Sequence, residues 1–393
     1  MSRLREMIKE LCPDGVEYCP IKDCVESVEK IEWKKTDETY RYIDLSSVDR
    51  DDHTIGETLE ISADDAPSRA QQVVKENDIL LGTTRPMLKR YCQIPSEYDN
   101  QICSTGFCVL RANNTRVLSR WLYHMISTTA FFDYVDRTQH GSSYPAISDK
   151  EVKAYDIPVP PLPIQNEIVK LLDNFTELTA ELTAELTAEL TLRKKQYEYY
   201  RARLLSFEKE QIEWVKIESI CSIQRGRVMS KGYIAENKGN YPVYSSQTEN
   251  NGELGRISSF DFEGEYLTWT TDGANAGTVF YRDGKFSVTN VCGLLKVKSD
   301  ALLTKYLYYV LSIEAPKYVN SGMGNPKLMS NVMACVKIPL PLLKRQKEIV
   351  TILDRFDTLC NDLTQGLPAE IAARKKQYEY YRDTLLTFRR KGA

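Results

Sequence analysis

The chain has 393 residues, of which 42% are hydrophobic and 27% charged, and its 52 basic and 55 acidic residues give a formal net charge of −3. This length predicts two or more domains, and the ordinary composition excludes a disordered, collagenous or fibrous chain. The charge balance excludes a strongly basic nucleic-acid coat, although a segregated basic face remains open.

The amino-acid composition also indicates the cellular compartment and whether the chain could bind a metal. No apolar run approaches the roughly 20 residues of a membrane helix, and residues 1–15 are charged and lack the apolar stretch of a secretory signal. We therefore expect a cytoplasmic protein. The ten cysteines form no C-x-x-C motif, and the three histidines are scattered, so the sequence predicts no metal site.

The first variable segment, about residues 12–155, alternates short apolar runs with turn residues. Runs at 41–45, 78–81 and 106–110 predict strands, and the stretch 118–132 predicts a short helix. We expect a compact α+β domain with a curved antiparallel sheet.

One long helix is predicted from about residue 163 to 207, because residues 164–207 contain neither Pro nor Gly and carry an apolar stripe. About 45 residues make a rod of roughly 68 Å. Such a helix is not stable alone in water, so it must pack on another helix, and a duplicate of this helical block later in the chain is the expected partner.

Within this helix, Thr-Ala-Glu-Leu occurs three times in tandem at 179–190. Four residues overshoot a helical turn by roughly 40°, so Leu182, Leu186 and Leu190 drift around the helix. Each repeat adds about 6 Å of helix, which suits an adjustable spacer. The alternative is a tolerated, slippage-prone tract with a solvated glutamate face.

The second variable segment, about residues 208–336, has the same mixture of elements. Runs at 266–270 and 293–297 predict strands, and 303–315 predicts a short helix. This segment predicts a second compact α+β domain.

The chain repeats itself at a constant offset of 181 residues. Residues 157–178 match 338–359 at 12 of 22 positions, and 193–207 match 374–388 at 12 of 15. Variable and similar blocks alternate, which predicts an internal duplication that folds as a pseudo-dimer with an approximate twofold axis.

The second copy of the helical block departs from the first at Pro368, which cannot sit inside a helix without breaking a hydrogen bond. We expect a C-cap near Gly366 and a new helix from about Pro368. The predicted fold class is α+β, with two mixed α/β domains separated by two long antiparallel coiled-coil helices. The expected boundaries are a first domain at 1–155, a spacer helix at 156–207, a second domain at 208–336 and a distal helical region at 337–393.

Catalytic signatures are missing from the sequence. It contains no G-x-x-x-x-G-K-[ST] phosphate loop, no G-x-S-x-G nucleophile elbow and no Asn/Asp-Pro-Pro-aromatic tetrapeptide of amino-methyltransferases. We therefore expect a non-catalytic protein, although an enzyme with an unrecognised nuclease or methyltransferase site remains a rival.

The variable segments instead carry polar, Gly-rich loops with basic and amide side chains. Arg, Gln and Asn can contact base edges in the major groove, and Ser and Thr suit phosphates. Two such domains on one rod fit a ligand with two separated sites, for which double-stranded DNA is the natural choice, although any one loop can be an ordinary turn. The candidate DNA-binding residues are Thr83, Thr84, Arg85, Lys89, Arg90, Arg137, Gln139, His140, Ser142, Ser143, Tyr144, Arg225, Arg227, Ser245, Ser246, Gln247, Thr271, Asn275, Asn325 and Lys327.

The repeated R-K-K-Q-Y-E-Y-Y-R stretch could be a basic aromatic nucleic-acid patch, but its tyrosines share one helix face. Coiled-coil packing and a dock for a partner protein are favoured, and two copies predict two partner copies. The candidate spacer and docking residues are Leu182, Leu186, Leu190, Tyr197, Tyr200, Arg201, Tyr378, Tyr381 and Arg382.

Taken together, these motifs resemble the DNA-specificity subunit of Type I restriction–modification enzymes. The resemblance covers nearly the whole chain and rests on two variable domains, each followed by I-P-[LV]-P, Q-x-E-I-V-x-x-L-D-x-F and R-K-K-Q-Y-E-Y-Y-R. The tandem T-A-E-L repeats are similar to one subgroup of that family.

The resemblance implies two target-recognition domains, each reading one half of a bipartite, asymmetric DNA sequence. It implies two modification (methyltransferase) subunits as partners, together with restriction subunits that carry ATP-driven translocation and cleavage. S-adenosylmethionine, ATP and Mg²⁺ would belong to those partners, with no cofactor bound by this chain. The remaining rival is a protein-only coiled-coil scaffold.

Overall fold

The computed structural model describes residues 2–207, 212–322, 324–362 and 364–392. The chain divides into two compact units, of which the first comprises Met1–Glu185 with Ile371–Ala393 and the second Leu186–Glu370. Each unit therefore combines one variable segment with helical segments that lie far apart in the chain.

In the first unit, strands form two four-stranded sheets, ordered β2-β9-β6-β7 and β4-β3-β8-β5, and a pair β1-β10. Their bounds are β1 Tyr18–Pro20, β2 Val25–Glu26, β3 Tyr40–Ile43, β4 Leu59–Ile61, β5 Ala70–Val73, β6 Ile79–Gly82, β7 Tyr91–Gln93, β8 Ile102–Ser104, β9 Phe107–Ala112 and β10 Asp156–Pro158.

The helices of the first unit lie mainly at the chain termini and after β9. Their bounds are α1 Ser2–Leu11, α2 Ser119–Ser127, α3 Thr129–Thr138, α4 Asp149–Ala154 and the start of α5, which runs over Leu162–Leu204.

The expectation of one antiparallel sheet per domain is wrong, because the first unit has two sheets and β3 pairs with β8 in parallel. Strands β6 and β9 are buried on both faces. Leu80 and Val109 face a core that both sheets share, whereas Ile79 and Leu110 face the helices. A continuous apolar run, rather than an alternating one, is typical of a strand covered on both sides.

The second unit repeats this topology, with sheets β12-β19-β16-β17 and β14-β13-β18-β15, a pair β11-β20, and a parallel pairing of β13 with β18. The strand bounds are β11 Trp214–Lys216, β12 Cys221–Arg225, β13 Lys238–Tyr244, β14 Glu253–Ile257, β15 Phe262–Glu263, β16 Tyr266–Thr270, β17 Val279–Arg282, β18 Lys285–Val288, β19 Cys292–Val297 and β20 Lys337–Pro339. The helices are α6 Ile217–Ile220, α7 Lys231–Glu236, α8 Thr304–Glu314, α9 Ser330–Cys335, α10 Leu343–Asn361 and α11 Leu367–Leu385, of which α11 continues into the first unit from Ile371.

A buried glutamine joins each domain to the helix that follows it. Gln165 of α5 accepts a hydrogen bond from the backbone N–H of Leu118 (3.0 Å) and donates to the carbonyls of Arg116 (3.0 Å) and Pro160 (2.8 Å). Gln346 of α10 makes the same three bonds in the second unit, to Leu303, Ala301 and Pro341. Both glutamines are fully buried, so the duplication extends to the attachment of each domain.

The start of α5 packs on α11 within the first unit. The rings of Phe175 and Tyr381 lie 6.3 Å apart, and the hydroxyls of Thr176 and Tyr378 lie 2.8 Å apart. The residue numbers rise along one helix as they fall along the other, so the two helices run antiparallel.

The end of α5 packs on α10 in the second unit in the corresponding way. Tyr197 and Tyr200 lie 6.2 and 5.6 Å from the ring of Phe356. Burial raises the pKa of Cys360, one turn after Phe356, and the nearby charge of Lys194, one turn before Tyr197, opposes that rise. This pair of helices is therefore antiparallel as well. The prediction that the duplicated block supplies the packing partner is confirmed within each unit.

The break in the second helical copy differs in detail from the expectation. α10 ends at Asn361 with Asp362 as its C-cap, so the predicted C-cap near Gly366 is wrong. The Gly366 carbonyl instead accepts from the N–H groups of Ala369 and Glu370, which makes Gly366 the N-cap of α11. A Cβ at this position would lie 2.5 Å from the Thr358 carbonyl, which leaves room only for glycine.

Candidate nucleic-acid interface

Two loops of the first unit are held together by backbone hydrogen bonds. The N–H of Ile147 donates to the Thr83 carbonyl (3.0 Å), and the N–H of Arg85 donates to the Pro145 carbonyl (2.7 Å). Thr84 and Ala146 form an antiparallel bridge between these bonds. The candidate loops 82–90 and 137–146, far apart in the sequence, therefore form one surface.

The second unit contains the same arrangement with the same register. The N–H of Leu328 donates to the Thr271 carbonyl (2.9 Å), and the N–H of Gly273 donates to the Pro326 carbonyl (3.0 Å). Asp272 bridges to Lys327 in the antiparallel sense. We call this arrangement the paired-loop frame, made of residues 83–85 with 140–147 in the first unit and 271–273 with 320–328, as far as described, in the second.

Basic and aromatic side chains stand exposed on the frame of the first unit. The Arg85 guanidinium lies 4.5 Å from the centre of the Tyr144 ring, and Tyr144 is 71% exposed. Lys89 is exposed and lies over Phe132 at 5.0 Å. Ser142 and Ser143 are exposed beside Tyr144, and Thr84 is half-buried within the frame. These side chains could reach a ligand without rearranging the frame.

Other candidates in the first unit are committed to internal contacts. Thr83 is buried and donates to the Gly106 carbonyl (2.8 Å), and Arg90 donates to the Leu45 carbonyl (3.0 Å). Three more side chains make internal hydrogen bonds: Arg137 donates to the Asp133 carbonyl, Gln139 donates to the Asp136 carboxylate, and His140 bonds to the Glu151 carboxylate. Thr83 and Arg90 support the loop rather than reach outward, whereas Arg137 and His140 remain exposed despite their contacts.

A capping box fixes the helix that follows this loop. The Ser148 hydroxyl accepts from the Glu151 N–H, and the Glu151 carboxylate accepts from the Ser148 N–H. Hydrogen bonds from Ser148 and then from His140 lower the pKa of Glu151 to about 2. The carboxylate therefore stays charged and anchors the base of the loop at neutral pH.

In the second unit, two candidate DNA-binding hydroxyls donate hydrogen bonds to the same backbone carbonyl of a loop. The hydroxyls of Ser246 and Thr271 both donate to the Val291 carbonyl, at 2.5 and 2.6 Å, and Ser246 also accepts from the Thr271 N–H. Ser245 contacts the Thr289 hydroxyl at 3.1 Å. The hydroxyls of Ser246 and Thr271 therefore have no proton left to donate to DNA, whereas Ser245 accepts from Thr289 and keeps its own donor.

The other candidates of the second unit divide between committed and exposed side chains. Gln247 donates to the Glu253 carbonyl and Asn275 to the Thr248 hydroxyl, while Arg225 reaches Ser330 and Arg227 forms an ion pair with Asp261. Asn325 and Lys327 are exposed on the frame itself. Lys327 is therefore the basic side chain best placed for an outward contact in this unit.

The sequence reasoning missed Arg282, a buried arginine beneath the loop that follows β13. Its guanidinium lies 3.6 Å from the Tyr244 ring centre and donates to the Asn251 carbonyl (2.7 Å) and the Thr268 hydroxyl (3.1 Å). Burial lowers the pKa of Arg282, and none of the described carboxylates forms an ion pair with it. The only local signal in the sequence is that Arg282 directly follows the aromatic pair Phe280 and Tyr281.

His53 lies in an acidic loop and packs against an aromatic side chain of the first unit. Its ring stacks on Tyr91 at 3.8 Å, and burial lowers its pKa to about 4. His53 is therefore neutral at physiological pH and packs beside Tyr91 rather than contributing positive charge.

The candidate docking residues mostly pack within the units. Tyr197 and Arg382 are buried, and Arg382 pairs with Asp383 at 2.8 Å. The remaining members of the set are half-buried or exposed: Leu182, Leu186, Leu190, Tyr200, Arg201, Tyr378 and Tyr381. Tyr199 and Tyr380, equivalent at the 181-residue offset and omitted from the candidates, are 58% and 67% exposed.

The described residues contain no cluster of three or more His, Cys, Asp or Glu side chains that could hold a metal ion. No helix in the described ranges is long and apolar enough to cross a membrane.

Comparison with known proteins identifies the family. The family described as "Type I restriction modification DNA specificity domain" matches residues 7–192 and again residues 209–373. The chain belongs to the Type I restriction–modification DNA specificity family. The first matched region contains residues 157–178, and the second contains their repeat at 338–359.

Individual relatives and a solved structure are also similar to this chain. The chain is 48% identical over 58% of its length to a putative type I specificity subunit of Mycoplasma pneumoniae, of which it covers 90%. It is 34% identical over 71% of its length to the EcoR124I/EcoR124II specificity subunit of Escherichia coli, of which it covers 73%. A chain in a structure concerning complex assembly and conformational transition of the type I R-M system matches with a TM-score of 0.75 at 25% identity, over 95% of this chain and 98% of that one.

Proposed function

We propose that the chain reads a bipartite, asymmetric DNA target, with one half-site contacted by the paired-loop frame of each unit. The observation that carries this proposal is that two backbone frames with the same register present different exposed side chains. A shared frame with different side chains suits two half-sites of different sequence. The family membership supports DNA as the ligand.

The proposed contacts are taken from the exposed candidates whose side chains make no hydrogen bond or ion pair with the other described residues. In the first unit they are Arg85, Lys89 and Tyr144, and in the second Asn325 and Lys327. Arg and Asn suit base edges, and Lys suits phosphates. The committed residues, among them Thr83, Ser246 and Thr271, would act by shaping the loops.

We propose further that this subunit is non-catalytic and acts in the cytoplasm within a larger complex. Two modification subunits would dock on the two copies of the tyrosine-rich helical block. The matched exposure of Tyr199 and Tyr380 supports two equivalent docking sites. Restriction subunits would join the same complex, and S-adenosylmethionine, ATP and Mg²⁺ would be bound by the partners.

The Thr-Ala-Glu-Leu tract is proposed as the spacer that sets the gap between half-sites, as in the subgroup of the family that it resembles. In support, the boundary between the two units falls inside this tract, between Glu185 and Leu186. The proposed functional divisions are a first recognition domain at 1–155, a spacer at 156–207, a second recognition domain at 208–336 and a distal helical region at 337–393.

The test is selection from a random duplex library, using the chain co-expressed with its modification subunit. We expect retained duplexes to share a split motif with a fixed gap. A complex shown to be intact that retains no common motif would contradict the DNA-reading function and favour a protein-only scaffold.

A further inference from the structure

We infer that Arg85 is the principal specificity-determining residue of the first unit and that it reads a guanine in the major groove. This inference deepens the DNA-reading function proposed above and rests on it. It starts from the backbone conformation of Arg85, which is left-handed, with φ +49° and ψ +57°. That region costs a non-glycine residue roughly 1 kcal/mol or more.

The duplication supplies an internal reference for this conformation. Gly273 occupies the same position in the frame of the second unit, where its N–H bonds to Pro326 as that of Arg85 bonds to Pro145. Its φ is +92°, so the frame uses a left-handed residue at this position in both units. Glycine adopts that conformation without strain. The first unit instead places an arginine there, at a conformational cost that glycine would avoid.

The Arg85 side chain is available to bind a ligand. Among the described residues, none gives its guanidinium a hydrogen-bond acceptor or a carboxylate, and its one recorded side-chain contact is the Tyr144 ring at 4.5 Å. Other arginines of the first unit are committed, such as Arg111 to Asp78 and Arg120 to Asp173. The donors of Arg85 are therefore available to a ligand.

Tyr144 positions this arginine. An aromatic ring 4.5 Å from the guanidinium attracts the cation, restricts a flexible side chain and so lowers the entropy lost on binding. An arginine whose position is restricted and whose donors are unpaired can match the paired O6 and N7 acceptors of guanine. We therefore assign Tyr144 a positioning role beside the reading residue.

The test compares library selections by complexes that carry Arg85→Gly, Arg85→Lys or no substitution. Arg85→Gly should fold normally, with an unchanged or higher melting temperature, because glycine relieves the left-handed backbone. It should lose a guanine preference of roughly tenfold to hundredfold at one position of one half-site, and the other half-site should stay unchanged. Arg85→Lys should lose the same preference while keeping more of the affinity, because lysine retains the charge without the paired donors.

Two further variants sharpen the result. Tyr144→Phe keeps the ring and should leave the selected motif unchanged, whereas Tyr144→Ala should weaken the guanine preference. Gly273→Arg would be strained by the backbone φ of +92°, as Arg85 is strained in the first unit, but its Cβ would meet nothing within 4 Å. It should increase guanine at one position of the other half-site.

Three outcomes would overturn the inference. These are an unchanged motif with Arg85→Gly, a uniform loss of affinity with unchanged letters, which indicates a phosphate contact, and a loss of binding that follows a lowered melting temperature. A wild-type complex that selects no split motif would instead refute the DNA-reading function itself, so the two failures are distinguishable.

Discussion

Replacing Gln165 with methionine should loosen the attachment of the first domain to α5. Methionine has about the same size and flexibility, but it cannot make the three hydrogen bonds of the buried amide. The Leu118 N–H, at the N-cap of α2, would lose its acceptor, and no side chain caps that helix start. The perturbation therefore separates hydrogen bonding from packing at one site.

The expected loss of stability follows from the backbone N–H and carbonyl groups that lose their hydrogen bonds to Gln165. An unpaired buried N–H costs about 1–3 kcal/mol, and each lost bond to a carbonyl adds about 1 kcal/mol, part of which water and the apolar thioether recover. We expect a loss of about 2–4 kcal/mol in the free energy of unfolding of the first unit. For a unit of this size, that corresponds to a fall in melting temperature of roughly 4–16 °C.

The assay is hydrogen exchange followed by peptide mass, combined with denaturant unfolding, and Gln346→Met is the matched control. Gln165→Met should increase exchange in α2, and Gln346→Met should increase exchange in α8, whose N-cap Leu303 it releases. Each variant should leave the other unit protected. Unchanged stability in both variants, or equal loosening of both units by either one, would refute the reasoning.

Four other predictions follow from the same structure. Deleting one Thr-Ala-Glu-Leu unit shortens an ideal helix by about 6 Å, so library selection should show a gap shorter by one or two base pairs with both half-sites intact; altered letters at an unchanged gap would contradict the spacer. Exchanging residues 208–336 for another variable segment should change one half-site in the same selection, and a change in both would contradict modular reading. Burial lowers the pKa of His53 and His124, so the unfolded state binds more protons below about pH 6.5; calorimetry should show the first unit losing stability from pH 7.5 to 5.5, and a flat profile would refute this. Arg282→Met should increase exchange at 245–252 and weaken binding of one half-site, whereas unchanged exchange would contradict its support of that loop.

The duplication made the helical framework predictable from sequence. Blocks at a fixed offset with apolar residues every three or four positions indicate helices that need a partner, and α5 does pack on copies of itself. The parallel pairing of β3 with β8 was not predictable, because it joins strands about 60 residues apart and depends on contacts that no local pattern encodes. The double burial of β6 and β9 did have a signal in their unbroken apolar runs.

The candidate site was predictable as a set of loops but not as a set of contacts. Residue type indicated that Ser246 and Thr271 could meet phosphates, yet both hydroxyls donate to the same backbone carbonyl. Local sequence does not show where a loop carbonyl will lie, so it cannot show which hydroxyls are already used. Arg282 was missed for the same reason, since its acceptors come from a distant turn and a neighbouring strand.

Comparing the two units distinguishes residues that hold the domains in place from residues that can contact DNA bases. Gln165 and Gln346 make the same bonds, so that position serves attachment in both units. Arg85 and Gly273 share a left-handed backbone and differ in side chain, so that position can differ without altering the frame. Where equivalent positions of the two units share a backbone conformation, their side chains can differ and so contact different bases. A search for specificity determinants should therefore begin at frame positions that have the same backbone conformation but different side chains.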